Sequence, residues 1–206
     1  MSGMGDFHFY EPKDGHGLPH DPIKAIVAPR PIGWISTINA AGRVNLAPYS
    51  YFNAVADRPA ILAFSSFSKK DSETNAEATG EFVFNLATRP LAEAMNRTSY
   101  AFTHGVSEME EAGLTPAASR IVRPPRVAAS PAAIECRVTD IVAVKDLNGR
   151  PTNNTLILGQ VVGVHIDSAC LVDGLFDITR ARTIARCGYA ADYLEVTELF
   201  QMHRPR

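Results

Sequence analysis

Cysteine is scarce in this 206-residue sequence, and its three copies, Cys136, Cys170 and Cys187, stand far apart and in no Cys-x-x-Cys pair. An odd, scattered set supports neither a disulfide framework nor a thiolate zinc site, and it suits a reducing cytoplasm. All three are expected as buried free thiols. Charge of one sign is not in excess either. Lys and Arg number 20 against 22 Asp and Glu, a net −2, so no basic surplus draws the chain to nucleic acid or an anionic membrane. No apolar run nears the roughly 18 residues of a membrane span. The opening "MSGMGDFHFYEPKDGHGLPHDP" lacks the basic start and apolar stretch of a secretory leader. Also missing are G-x-S-x-G, H-E-x-x-H and G-x-x-x-x-G-K-[ST], and no G-x-G-x-x-G follows a strand. The histidines are His8, His16, His20, His104, His165 and His203. His16 and His20 are four apart, but the Gly and Pro of "HGLPH" oppose a helix, so they read as solvated loop side chains rather than a metal pair.

What is present reads as one β-rich domain. Hydrophobic residues make up 46% and charged residues 20%, ordinary for a globular protein of this length. Residues 1–22, rich in Gly, Pro, His and Asp, are expected as an extended arm, 23–196 as the domain and 197–206 as a tail. "IGWISTI" and "VNLA" flank the turn "NAAGR" as a hairpin. "AILAFSSF" is a continuous apolar run of strand length. A helix is expected from about Asp71 to Gly80, which is placed as its C-terminal cap. "EFVFNLA" reads as a strand with Phe82, Phe84 and Leu86 on one face. Pro90 suits a first helical position, and Ser107 with Glu110 forms a capping box. "IECRVTDIVAV" and "TLILGQVVGVHI" are the longest strands, turned near Asn148 and Gly149. "TRARTIAR" is expected to add a short helix. Strands at this spacing with few helices predict a mainly β, barrel-like domain rather than a Rossmann sheet.

Two polar groups lie beside these strands. The first is Ser36 and Thr37 on one hairpin arm with Asn45, Ser50 and Asn53 on and beyond the other. Interleaved with Tyr49, Tyr51 and Phe52, they offer in-plane hydrogen bonding with aromatic cover, as a flat heteroaromatic ring requires. Pro48 is expected to stop strand pairing and free nearby N–H groups. The second group is Ser65, Ser66, Ser68, Lys69, Lys70, Asp71, Thr74 and Asn75, at a strand end opening into a helix. Free N–H groups and the helix dipole can hold a phosphate there; the plainer alternative is an N-cap with solvated lysines.

The stretches "RPIGWISTINAAGRVNLAPYSYFNAVADRPAILAFSS" and "KKDSETNAEATGEFVFNL", with "LGQVVGVHID" and "ARCGYAADY" after them, resemble the flavin reductase-like family of FMN-binding flavoproteins. The likeness runs from about Ile26 to Tyr193. It implies a mainly β fold, an FMN-binding split β-barrel of Greek-key type with short flanking helices. It implies that Ser36, Thr37, Asn45 and the segment Ala47, Pro48, Tyr49, Ser50, Phe52 and Asn53 line the isoalloxazine. Ser65, Ser66, Lys69, Lys70, Asp71, Thr74 and Asn75 would then hold the ribityl chain and phosphate. Arg30 would reach the cofactor, with a surface ion pair as its other reading. His165 stands where relatives often place the nicotinamide, as a catalytic candidate or as one polar side chain on a half-buried strand. Cys187 and Gly188 depart from the family's Gly-Gly pair, and Arg186 and Tyr193 are structural or near the groove.

The resemblance further implies a homodimer and an NADH- or NADPH-dependent flavin reductase, with FAD able to replace FMN as an open alternative. Reduced flavin would go to a flavin-dependent monooxygenase or another acceptor. Two rival readings remain: a flavin-binding electron-transfer or storage protein without nicotinamide activity, and an enzyme like pyridoxamine-phosphate oxidase. The latter needs a second basic pocket, for which Arg120–Arg126 and Arg180–Arg186 are the available clusters.

Overall fold

The computed structural model describes residues 5–100, 102 and 106–205. His104, Met1–Met4 of the arm and Arg206 of the tail lie outside the described residues. After a four-residue helix α1 (Ile23–Ile26) the chain forms β1 (Arg30–Pro31), β2 (Gly33–Ile38), β3 (Val44–Tyr49), β4 (Phe52–Asp57) and β5 (Ala60–Phe67). Helix α2 (Asp71–Thr79), β6 (Glu81–Leu86), α3 (Ala92–Arg97) and α4 (Glu108–Glu111) follow. Two short strands, β7 (Pro116–Ala117) and β8 (Arg126–Val127), precede the long hairpin of β9 (Ala132–Lys145) and β10 (Pro151–Ile166). The chain closes with β11 (Leu171–Val172), β12 (Leu175–Phe176), β13 (Ile184–Arg186) and β14 (Tyr193–Glu195).

Seven strands form one antiparallel sheet in the order β3-β2-β6-β9-β10-β5-β4. Its two edge strands, β3 and β4, are consecutive in the chain, with only Ser50 and Tyr51 between them. Flat, such a sheet would hold its edges roughly 29 Å apart, whereas Tyr49 and Phe52 are at most about 11 Å apart along the chain. The sheet therefore curls until its edges meet. β3 and β4 are not paired with each other, so the barrel closes with a seam: it is a split barrel.

The interior is filled from alternate positions of each strand. Ile35, Tyr49, Leu62, Phe64, Phe82, Phe84, Cys136 and Ile157 form one buried cluster, joined by Ala76 of α2, which lies against one end of the barrel. The opposite faces of β2 and β3 carry Trp34 and Leu46 into a second cluster with Met95, Met109, Val127 and Ile184 under α3 and α4. Trp34 Nε1 donates to Thr98 Oγ1 at 3.0 Å, so the ring's polar atom is satisfied there. α2 ends as the sequence predicts, on Gly80 in a left-handed conformation (φ 69°). Ser107 caps α4 by accepting from Glu110 N.

Three expectations change. β3 continues through Pro48, which stands opposite Trp34 in the ladder. Because β3 is an edge strand, the N–H that Pro lacks has no partner strand to serve. "TRARTIAR" forms a turn leading into β13 rather than a helix. The Asp177 carboxylate, taking the N–H groups of Thr179 and Arg180, fixes that turn. Cys136 and Cys170 are buried, but Cys187 is only half-buried.

Candidate functional site

Two grooves flank the seam and share Ser50, Tyr51 and Ser65 as a common wall. The first, about 520 Å³, runs along β3, where it meets Asn45, Ala47, Pro48 and Tyr49. The start of α2 adds Lys70, Asp71 and Ser72. The connection after α3 adds Thr98, Ser99, Tyr100 and Phe102, and the start of α4 adds Glu108. The second groove, about 380 Å³, lies on the β4 side with Phe52, Asn53 and Val55, and Arg30 stands among Val27, Pro29 and Pro31. Val144 and Leu156 reach it from the β9–β10 hairpin.

The polar floor of the first groove is densely connected. The Asn45 amide lies 2.7 Å from Ser72 Oγ. With its nitrogen turned to Glu108 Oε1, 3.2 Å away, its oxygen accepts from Ser72. Leu46 N donates to Glu108 Oε2 at 3.1 Å. Burial pushes the Glu108 carboxyl above its ordinary range, the Asp71 charge adds to this, and the backbone donors oppose it. Burial likewise raises the Tyr49 phenol, against the Ser72 and Ser66 hydroxyls. Its Oη is buried near those hydroxyls, without good hydrogen-bond geometry to any partner among the described residues.

Lys70 occupies the N-cap of α2 and offers no side-chain acceptor to the first turn. That leaves the helix N-terminus facing the groove with a cation beside it. Lys69 is instead paired with Glu77 at 2.6 Å, which raises its pKa. The turn from β5 into α2 passes through Ser68 at φ 58°, held by Ser68 N donating to Asn153 O (2.7 Å) and Ser66 Oγ to Ser68 O (3.1 Å).

The remaining residues of the sequence-derived set stand elsewhere. Ser36 is fully buried on the outer face of β2 and donates to Pro125 O at 2.6 Å. Thr37 accepts from Asn75 Nδ2 at 3.1 Å, a buried tie between β2 and α2. Ser66 is buried, Thr74 is exposed, and neither lines a groove. Sequence reasoning missed Ser72, Glu108, Thr98, Ser99, Tyr100 and Phe102, whose approach to the seam has no local signature. It also missed Asn154, whose amide donates to Ser65 Oγ at 3.1 Å.

His165 lies outside both grooves, in a polar pocket of about 570 Å³ with Arg120, Arg126 and Glu135. Its Nε2 is 2.6 Å from the fully buried Glu135 Oε1. The Glu135 carboxylate also accepts from the N–H groups of Arg120 (2.8 Å), Ile121 (2.7 Å) and Val122 (2.9 Å). Desolvation alone would raise its pKa, but these donors outweigh it and hold it at about 2. Glu135 thus pins the loop over β9 and β10. Arg186 lies 4.5 Å over the Tyr193 ring and donates to the carbonyl of Ala190, away from the seam grooves.

The grooves fit FMN by their donor set. Lys70 and the α2 N-terminus suit a phosphate, Asn45 and Glu108 suit sugar hydroxyls, and the β4 side offers apolar cover for a flat ring. Of the five buried side-chain polar atoms without a partner among the described residues, two, Arg30 Nε and Tyr49 Oη, belong to residues that line these grooves.

The family model described as the flavin reductase like domain matches residues 27–184. An uncharacterized protein of Aquifex aeolicus is 34% identical over 172 residues, covering 81% of this chain and 84% of that protein. The nitrilotriacetate monooxygenase component B of Bacillus cereus superposes with a TM-score of 0.84 at 27% identity, over 98% of this chain and 100% of that one. The 2-nitrobenzoate 2-nitroreductase of Pseudomonas fluorescens gives 0.77 at 25% identity, over 89% and 88%.

Proposed function

The chain belongs to the flavin reductase like domain family, and from that premise we propose that it holds FMN across the barrel seam and acts as an NAD(P)H-dependent flavin reductase. One observation carries the reading: two grooves meet at Ser50 and Tyr51, one with Lys70 on its wall and the other with Arg30. When bound, FMN supplies the hydride-accepting chemistry, with NADH or NADPH as donor and FAD as the alternative flavin. Lys70 and the first turn of α2 hold the phosphate. Asn45 and Glu108 serve the ribityl hydroxyls. Ser50, Asn53 and the backbone between them present hydrogen bonds at the ring's edge, and Phe52, stacked on Phe84 at 4.7 Å, stiffens that wall. None of these residues has to relay a proton, which agrees with a sequence that marks no conventional triad. His165 enters only through the outer pocket, with its Nε2 engaged by Glu135.

Anaerobic titration of the FMN-loaded protein with NADH and then NADPH tests the reading. Bleaching of bound flavin faster than free FMN is expected from at least one nucleotide; bound flavin that neither reduces would leave an electron-transfer or storage protein. For the phosphate, Lys70→Ala is expected to weaken FMN roughly 10- to 100-fold, as loss of a charge-assisted hydrogen bond does. Riboflavin, which has no phosphate, should bind nearly as before. Equal losses for both ligands would place the phosphate elsewhere.

The likeness to nitrilotriacetate monooxygenase component B supports delivery of reduced flavin to a partner monooxygenase. The nitroreductase neighbour favours a second reading, reduction of a nitroaromatic acid in place. Turnover of 2-nitrobenzoate by the isolated protein would select the second. The exposed Val55, Val142 and Val144 beside the β4-side groove favour a homodimer that covers the seam. Light scattering should then give twice the chain mass. No helix among the described residues is long and apolar enough to cross a membrane, and a cytoplasmic location fits the scattered thiols.

A further inference from the structure

We propose that Arg30 sets the redox balance of the bound flavin, favouring the reduced ring over the oxidised ring. This rests on the FMN reading above. Arg30 is only 7% exposed. Its Nη1 donates to the carbonyls of Lys24 and Val27, the latter at 2.6 Å, and both are neutral acceptors. Its Nε is buried without a partner. No carboxylate pairs with it among the described residues. A guanidinium stays protonated in a protein, so a full positive charge is held out of water without a counter-ion. Such a charge is costly unless the functional state brings a negative one.

The groove indicates where that negative charge lies. Arg30 is the one charged side chain among its lining residues, and the wall beside it is Val27, Pro29, Pro31, Val55 and Leu156. That surface suits a flat apolar ring and is poor for a hydrated phosphate. Lys70 and the α2 N-terminus, across the Ser50–Tyr51 wall, are left for the phosphate. Uptake of two electrons and one proton, the equivalent of a hydride from a nicotinamide, leaves one negative charge on the ring. The charge on the phosphate is the same before and after. A cation beside the ring therefore binds the reduced form more tightly and raises the potential, whereas a cation on the phosphate cannot separate the two forms.

The test measures dissociation constants of oxidised and dithionite-reduced FMN, and the midpoint potential, for the wild type, Arg30→Gln and Arg30→Lys. Gln is expected to weaken reduced FMN at least tenfold more than oxidised FMN. For a two-electron couple that lowers the potential by about 30 mV or more. Lys keeps the charge and should restore most of the difference. Equal weakening of both forms, with an unmoved potential, would overturn the proposal and assign Arg30 to the phosphate or to the α1 carbonyls alone. Equal shifts in Gln and Lys would overturn it too, since the lost carbonyl bonds would then be the cause. Wild-type protein that binds no FMN removes the flavin reading and this inference together; tight FMN binding with an unmoved potential removes this inference alone.

Discussion

Glu135→Ala is expected to destabilise the protein by on the order of 3–5 kcal/mol, as breaking a buried charged network does. The carboxylate has no exposed surface and takes three backbone N–H groups and the His165 ring. Alanine removes the acceptor shared by the N–H groups of Arg120, Ile121 and Val122, of which the Val122 bond is buried, and each donor left unpaired carries its own penalty. Glu135→Gln keeps one acceptor oxygen and should lose less. Urea denaturation of the three proteins checks the order. A midpoint for Glu135→Ala within error of the wild type would mean that the loop finds other acceptors.

The same carboxylate predicts an acid limit. Its pKa falls from 4.5 to about 2 in the folded state, so between those values the unfolded chain binds more protons. The stabilisation is therefore fully present above about pH 5 and is lost as pH falls toward 2. One pKa unit corresponds to 1.36 kcal/mol, so the loss is on the order of 3 kcal/mol. Glu135→Gln has no such group to titrate, and its stability should fall less steeply over that interval.

Gly33→Val should cost about 3 kcal/mol, the upper end for overpacking, and should also abolish tight FMN binding. A Cβ at Gly33 would sit 2.6 to 2.9 Å from the Phe52 ring and its Cβ. That ring is stacked on Phe84 inside the barrel and begins the β4 side of the seam. The added side chain must push Phe52 out, and Phe52 lines the groove. Gly159→Ala is the comparison. Its Cβ would collide with the Phe82 ring, which is fully buried and lines neither groove. Both variants should melt lower, but only the Gly33 variant should lose FMN out of proportion. Thermal melts alongside FMN fluorescence titrations separate the two effects. Similar FMN affinity in both would show that Phe52 does not shape the site.

The sequence by itself determined the elements whose cause is local. β2, β5, β6 and the long hairpin are legible from apolar runs and turn residues, and α2 ends on Gly80 because a residue with φ 69° there is easiest as glycine. Asn45 and the Ala47–Asn53 stretch could be singled out because polar groups interrupted an apolar strand pattern, and Lys70 because it stands where a hydroxyl-rich strand end opens into a helix. Only the tertiary structure decided what those groups face. Pro48 sits within a strand because β3 is an edge, and edge position follows from the order of all seven strands. The seam exists because a two-residue link forces the two edges of a curled sheet together. That closure places Glu108, Tyr100 and Phe102 on the same groove as Lys70, and Arg30 is buried without a counter-ion among the described residues. The same nonlocal packing turns Ser36 away from the seam and ties Thr37 to α2. Strand periodicity records which side of a strand is buried; it does not record whether the buried side meets core, loop or ligand.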